Sequence, residues 1–278
     1  MSQGKTAGRV LLALDLSAES RAAAELAVEL AAALEVEVEG LFVEDRELLD
    51  LAGHPLAREV ATFEVVAQPV ERIGLERGLR AQAARARALL AGVVGQRAIS
   101  WSFRVVRGTV VDEIRTAAGE GDTIALGRVG WSTGPRRRLG RTVESLLAEG
   151  DRGVLVPGRR PAAGEPVVAC YEGSSAGRQV LAAAVQLGRA TGSALRVEVI
   201  ARDETEAATL QEEAKAELAD AGAEAGFHTR VVERPSELAA ALSAVSCRLL
   251  IVPSGVFGDG PDVLSLVSDL DCPLLLVR

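Results

Sequence analysis

At 278 residues the chain suits two domains of ordinary size, and a content of 48% hydrophobic and 25% charged residues is that of a globular protein, not a disordered or fibrous one. A net charge of −8 argues against a surface built to neutralise nucleic-acid phosphates, which requires a clustered excess of Lys and Arg. No apolar stretch approaches the roughly 20 residues that span a bilayer, so neither nucleic acid nor membrane is expected as a partner.

Short β-rich apolar runs alternate with segments whose apolar residues recur at helical spacing, the pattern of stacked βαβ units around a parallel sheet. "RVLLAL" (9–14) reads as a strand, and "SAESRAAAELAVELAAAL" (17–34) as a helix with Ser17 as its N-cap candidate. "VEVEGLFV" (36–43) reads as a second strand, followed by a polar, Pro-containing insertion and an Ala/Arg-rich helix over 70–94. "WSFRVV" (101–106) gives a third strand, "TVVDEIRTAAGE" a third helix and "DTIALG" (122–127) a fourth strand. A helix over 141–149 and a last strand, "GVLVP" (153–157), complete the series.

The order then repeats. "RVVRGTVVDEIRTAAGEGDTIALG" is echoed by "RVVERPSELAAALSAVSCRLLIVP", and "DRGVLVP" by "DCPLLLV". Asp15 matches Glu172 at an offset of 157, Arg104 matches Arg230 at 126, and Asp151 matches Asp271 at 120. The second copy is therefore 31 residues shorter between its first and third strands and 6 shorter after its fourth. "GRRPAAGEP" (158–166) reads as the linker, which divides the chain into domains 1–160 and 161–278. Each half ends in an apolar strand suited to a sheet edge, where unpaired N–H and C=O groups invite another strand. Two doubly wound five-stranded domains are expected to pair through these strands as a pseudo-dimer within one chain.

"LGRVGWSTGPRRRLGRTVESLL" (126–147) carries four glycines and five arginines between the fourth strand and the next helix. In a doubly wound sheet, ligands collect at the carboxyl ends of the strands where the strand order reverses. Asp15 at the tip of the first strand and Gly127 at the tip of the fourth should face one crevice. Gly127 and Gly130 let backbone approach a ligand closely, and Gly140 opens a helix whose first N–H groups attract an anion. A carboxylate repels phosphates, so Asp15 is assigned to the base or ribose end. The bland readings stand beside these: an inert loop, a strand-end carboxylate that caps the helix, and a solvated arginine run over 136–138. For Trp101 and Trp131 the default is packing, with Trp131 a candidate lid.

The spacing Gly127-x2-Gly130-x9-Gly140, the Asp after the first strand and the tandem repeat resemble the universal stress protein family in its tandem form, over essentially the whole chain. The resemblance implies an ATP site (ADP or AMP as alternatives, with or without Mg) formed by Asp15, Val43 at the base pocket, Gly127, Arg128, Gly130, Gly140 and the residue after it. That residue is Arg141, where the family has Ser or Thr; Thr142 offers a hydroxyl shifted by one position. The second copy departs further, with Gly255, Gly258 and Gly260 at other intervals and Glu172 for the Asp, so one site per chain is expected.

Three cysteines without CxxC pairing fit reduced thiols in a cytoplasm, and two histidines leave little for a zinc site or a His-based triad. "VLLAL" falls short of the about 7 apolar residues of a leader, so the start is expected to be mature sequence. The implied function is a nucleotide-binding stress-response regulator, not an enzyme, with at most slow incidental ATP hydrolysis. Neither Lys5 nor Lys215 is near the loop to serve phosphoryl transfer. The rival is an interaction module that binds no nucleotide and acts through a protein partner, as a monomeric pseudo-dimer or a homodimer. A hydrolase is set aside because "GSS" (173–175) is no G-x-S-x-G elbow.

Overall fold

The computed structural model describes residues 8–52, 58–59, 68–69, 72–95, 97–129, 139–149, 151–232, 234–257 and 261–278. The first half runs β1 (Val10–Ala13), α1 (Ala18–Leu34), β2 (Val38–Asp45), α2 (Arg46–Ala52), the two-residue β3 (Arg58–Glu59) and β4 (Gln68–Pro69), and α3 (Arg72–Val94). It continues with β5 (Trp101–Gly108), α4 (Val110–Ala117), β6 (Thr123–Ala125), α5 (Arg141–Glu149) and β7 (Gly153–Val156). The second half repeats the order with β8 (Val167–Tyr171), α6 (Ser175–Thr191), β9 (Leu195–Ala201), α7 (Glu204–Asp220) and β10 (Gly226–Val231). It closes with α8 (Pro235–Ser243), β11 (Leu249–Pro253), the 3₁₀ turn η1 (Ser254–Phe257), α9 (Pro261–Asp269) and β12 (Leu274–Val277).

Apart from the small β3–β4 pair, the strands form one ten-stranded sheet in the order β10-β9-β8-β11-β12-β7-β6-β1-β2-β5. Within each half all neighbours are parallel; only β7 and β12 pair antiparallel, with Val156 opposite Leu274 and Val154 opposite Leu276. The two final strands thus cover each other's edges and make the pseudo-dimer. Side chains alternate across the sheet, so Val10 and Leu12 enter one apolar layer while Leu11 enters the other, and both layers run through both halves. On one face α1 packs on α6, and on the other α5 packs on α9. Arg248 adds a two-pronged bond across the halves, its Nη2 lying 2.9 Å from both carboxylate oxygens of Glu29.

Register refines the internal match. Phe42 lies opposite Val105, and its counterpart Val199 lies opposite Thr229, an offset of 124 for the third strand. Leu249 pairs with Val167 as Thr123 pairs with Val10, so the offset of 126 holds at the fourth strand. The sequence match of Arg104 with Arg230 is therefore two residues out in space. β2 also ends later than its apolar run, because Glu44 continues the ladder opposite Arg107 and forms a 2.7 Å ion pair with it.

The strand order reverses between β1 and β6, and Asp122 ties the start of this pair together. Its carboxylate accepts the Arg9 N–H at 3.0 Å, the Arg9 Nε–H at 3.0 Å and the Gly119 N–H at 2.8 Å. Burial alone would raise its pKa, but these donors outweigh burial and hold it below the usual carboxylate range. A depressed native pKa contributes stability above the unfolded value of about 3.9, lost as pH falls through the native value. Asp122→Asn is accordingly expected to cost about 1.5–3 kcal/mol at pH 7. In urea unfolding followed from pH 7 down to 3, the gap between variant and wild type should close.

Candidate functional site

A cavity of about 320 Å³ opens where β1 and β6 diverge, within the range of small-ligand sites. Asp15, Val43, Gly127, Gly140, Arg141 and Thr142 all line it. Its far wall is apolar, with Leu48 from α2, Leu79 from α3, and Val110 and Ile114 from α4.

The turn from β1 into α1 is tightly specified. Leu16 sits in the left-handed region at φ 62°, a costly conformation for a branched side chain that clusters at ligand sites. The second half has Gly173 at the corresponding position, at φ 84° without that cost. The turn folds the Asp15 carboxylate back, so that Oδ1 accepts the Ser17 N–H at 2.9 Å and the Ser20 hydroxyl. Ser17 holds the N-cap position but makes no side-chain cap bond; Asp15 supplies the acceptor instead. Asp15 thus has a structural role, and it also lines the cavity.

The loop after β6 is anchored from two sides. Gly127 presses on α1, where an added Cβ would come within 3.2 Å of the Glu19 Cβ. Glu19 accepts the Val129 N–H at 2.9 Å, and the Arg128 carbonyl accepts the Gly140 N–H at 3.0 Å, closing the loop's ends on each other. The Arg128 side chain leaves the crevice. Its guanidinium donates to the carbonyls of Pro157, Leu270 and Cys272 and so fastens the loop to the seam between the halves. Arg128, expected among the nucleotide ligands, is placed by this geometry as a brace.

α5 begins at Arg141, so the N–H groups of Arg141, Thr142 and Val143 open a helix and have no acceptor within it. They lie at the cavity mouth with the positive end of the helix dipole. Arg141 is exposed there and Thr142 half-buried. Gly130, Trp131 and the run 136–138 lie outside the described residues, as do 53–57 and 60–67 of the 44–69 insertion. Asp45 and Gln82 also line the cavity and were missed in the sequence. Asp45 ends β2, two residues beyond its apolar run, and Gln82 faces the cavity from a helix distant in sequence. Among the described residues no group of three or more His, Cys, Asp or Glu is arranged to hold a metal ion.

The matching crevice of the second half, about 260 Å³, differs in chemistry. Glu172, Arg202 and Arg234 line it, and η1 replaces the glycine loop and buries Phe257 in the core.

The family model of the universal stress proteins matches residues 6–156, more than half of the chain. This chain belongs to the universal stress protein family. The whole length also superposes on a universal stress protein of Archaeoglobus fulgidus, with TM-score 0.67 and 18% identity, covering 97% of this chain and 96% of that one. A functionally unknown protein of Pseudomonas aeruginosa gives TM-score 0.58 at 14% identity, over 98% of this chain and 92% of its own. The cytoplasmic domain of a prokaryotic cation chloride cotransporter gives 0.55 at 11%, over 98% and 95%. At these identities the likeness is one of fold. No curated protein matches the chain. No helix among the described residues is long and apolar enough to cross a membrane.

Gly127 offers a direct test of the loop anchor. A branched side chain has to displace α1 or the loop, so Gly127→Val is expected to destabilise the fold by about 1–3 kcal/mol, read by urea unfolding.

Proposed function

We propose that this universal stress protein binds an adenine nucleotide, ATP with ADP or AMP as alternatives, in the crevice of residues 1–160 and nowhere else. It acts as a stress-response regulator in the cytoplasm and not as an enzyme. The observation that carries the reading is the convergence of Asp15, Gly127 and the Gly140–Thr142 helix start on one cavity of about 320 Å³. The base would lie among Val43, Leu48, Leu79 and Val110, with Asp15 or Asp45 accepting from its exocyclic amine or from the ribose. The phosphates would lie at the start of α5, where backbone N–H groups, Thr142 and the cationic Arg141 all favour an anion.

Arg141 in place of a hydroxyl residue fits this scheme as a phosphate contact, because a cation at a helix N-terminus is disfavoured by about 0.3–1 kcal/mol unless an anion stands beside it. Mg²⁺ would be held by phosphate oxygens and water more than by the protein, as is usual for that ion. Lys215, on α7 of the other half, is not placed for phosphoryl transfer, which supports binding without turnover.

The second reading, an interaction module, draws on Arg128. A loop arginine committed to the seam suits a chain whose surfaces, and not its crevice, are in use.

Calorimetry separates the two. ATP is expected to bind once per chain with micromolar affinity, weakened about tenfold or more by Asp15→Ala, abolished by Gly130→Glu and unchanged by Glu172→Ala. No heat with any adenylate leaves the interaction module; binding that persists in Gly130→Glu and fails in Glu172→Ala moves the site to the second half.

A further inference from the structure

Cys247 precedes β11 and Cys272 precedes β12, and these strands are parallel neighbours. Their sulfurs stand 2.7 Å apart, in side chains 0% and 1% exposed, against about 2.05 Å for a disulfide bond. Contact with Cys247, with help from Arg159 and Arg128, holds the Cys272 thiol below its ordinary value, while the same contact and burial push Cys247 up. Cys170 has no such partner: it is buried on β8, and burial pushes its thiol up.

The pair sits beneath the anchor of the glycine loop. The Cys272 carbonyl accepts from Arg128 Nη2 at 3.4 Å, and the Arg128 carbonyl in turn accepts the Gly140 N–H. A cavity of about 300 Å³ reaches this point, lined by Arg128, Gly158, Arg159, Ser268 and Asp271. Gly158 forms its floor against the Cys272 main chain, with no room there for a Cβ, and the Arg159 N–H donates to the Asp271 carbonyl at 2.6 Å. The cavity is lined by Asp271, the chain neighbour of Cys272, but by neither cysteine, so peroxide reaches the buried sulfurs through a local opening of the fold.

We propose that Cys247 and Cys272 form a peroxide-responsive dithiol whose closure to a disulfide shifts the Arg128 brace and with it the glycine loop. The Cys272 thiolate attacks one oxygen of hydrogen peroxide; the O–O bond breaks, and the departing hydroxide takes up the proton the thiol released, leaving a sulfenic acid and water. The Cys247 sulfur then attacks the Cys272 sulfur. The S–O bond breaks, and the leaving hydroxide takes the Cys247 proton as a second water. Two thiols lose two electrons, and one peroxide becomes two waters. A dithiol reductant reverses the bond. The proposal concerns the protein's own loop and stands whether or not a nucleotide binds.

The test treats the folded full-length chain, wild type and Cys170→Ser, with hydrogen peroxide, then alkylates after unfolding. The expected result is a mass loss of two hydrogens, two fewer alkylatable thiols, and a linked peptide joining Cys247 to Cys272 in both proteins, all reversed by dithiothreitol. Amide exchange of Val129 and Gly140, followed without nucleotide, should change on the order of threefold between the two forms. Full alkylation after treatment, oxygen adducts without a linked peptide, or a linked peptide with unchanged exchange at those amides each overturns the proposal.

Discussion

Two parallel strands whose connections leave in opposite directions cannot have the gap at their carboxyl ends filled by their own chain. In this protein that gap lies between β1 and β6, and the features that bear on function follow from it. The tip of β1 turns through a left-handed Leu16 to fold Asp15 over the start of α1. The tip of β6 carries Gly127, small enough to rest on the same helix. α5 then begins on the far side of the gap with N–H groups that have no acceptor within the helix. The crevice is thus a product of topology, and the residues around it determine what it accepts.

The second constraint is the antiparallel pairing of β7 with β12, which makes one sheet of two halves. It removes two edges that would otherwise be open to other chains. It also brings the carbonyls of Leu270 and Cys272 within reach of Arg128, so a residue adjacent to the first half's crevice is held by the second half. The crevice and the seam therefore share a brace. In the second half the same topology leaves a cavity, but there β11 runs directly into η1 and the buried Phe257, so one fold carries two differently finished crevices.

The repeat, the strand order and the paired last strands were legible because apolar runs, helical periods and the echo between halves are local signals. So were Asp15, which breaks an apolar run, and the start of α5 after Gly140. What escaped depends on partners distant in sequence. Glu44 and Asp45 look like a polar exit from β2, yet Glu44 stays in the ladder because Arg107 opposite it neutralises the charge. Gln82 and Leu79 line the cavity only because α3 packs over it, after an insertion that gives no register. Arg128 sits amid a glycine pattern and reads as a ligand, while its acceptors lie 29 to 144 residues away. The two-residue slip in the third strand arose for the same reason: matching arginines are not matching pleat positions.

The central claim is that one of the two crevices, and not the other, holds an adenylate. Native mass spectrometry of the full-length chain, first as purified and then with ATP added, tests it most directly. The account predicts a species heavier than the bare chain by a single adenine nucleotide, with no second addition as ATP is raised. Only bare chain at every concentration, or two nucleotides per chain, would contradict it.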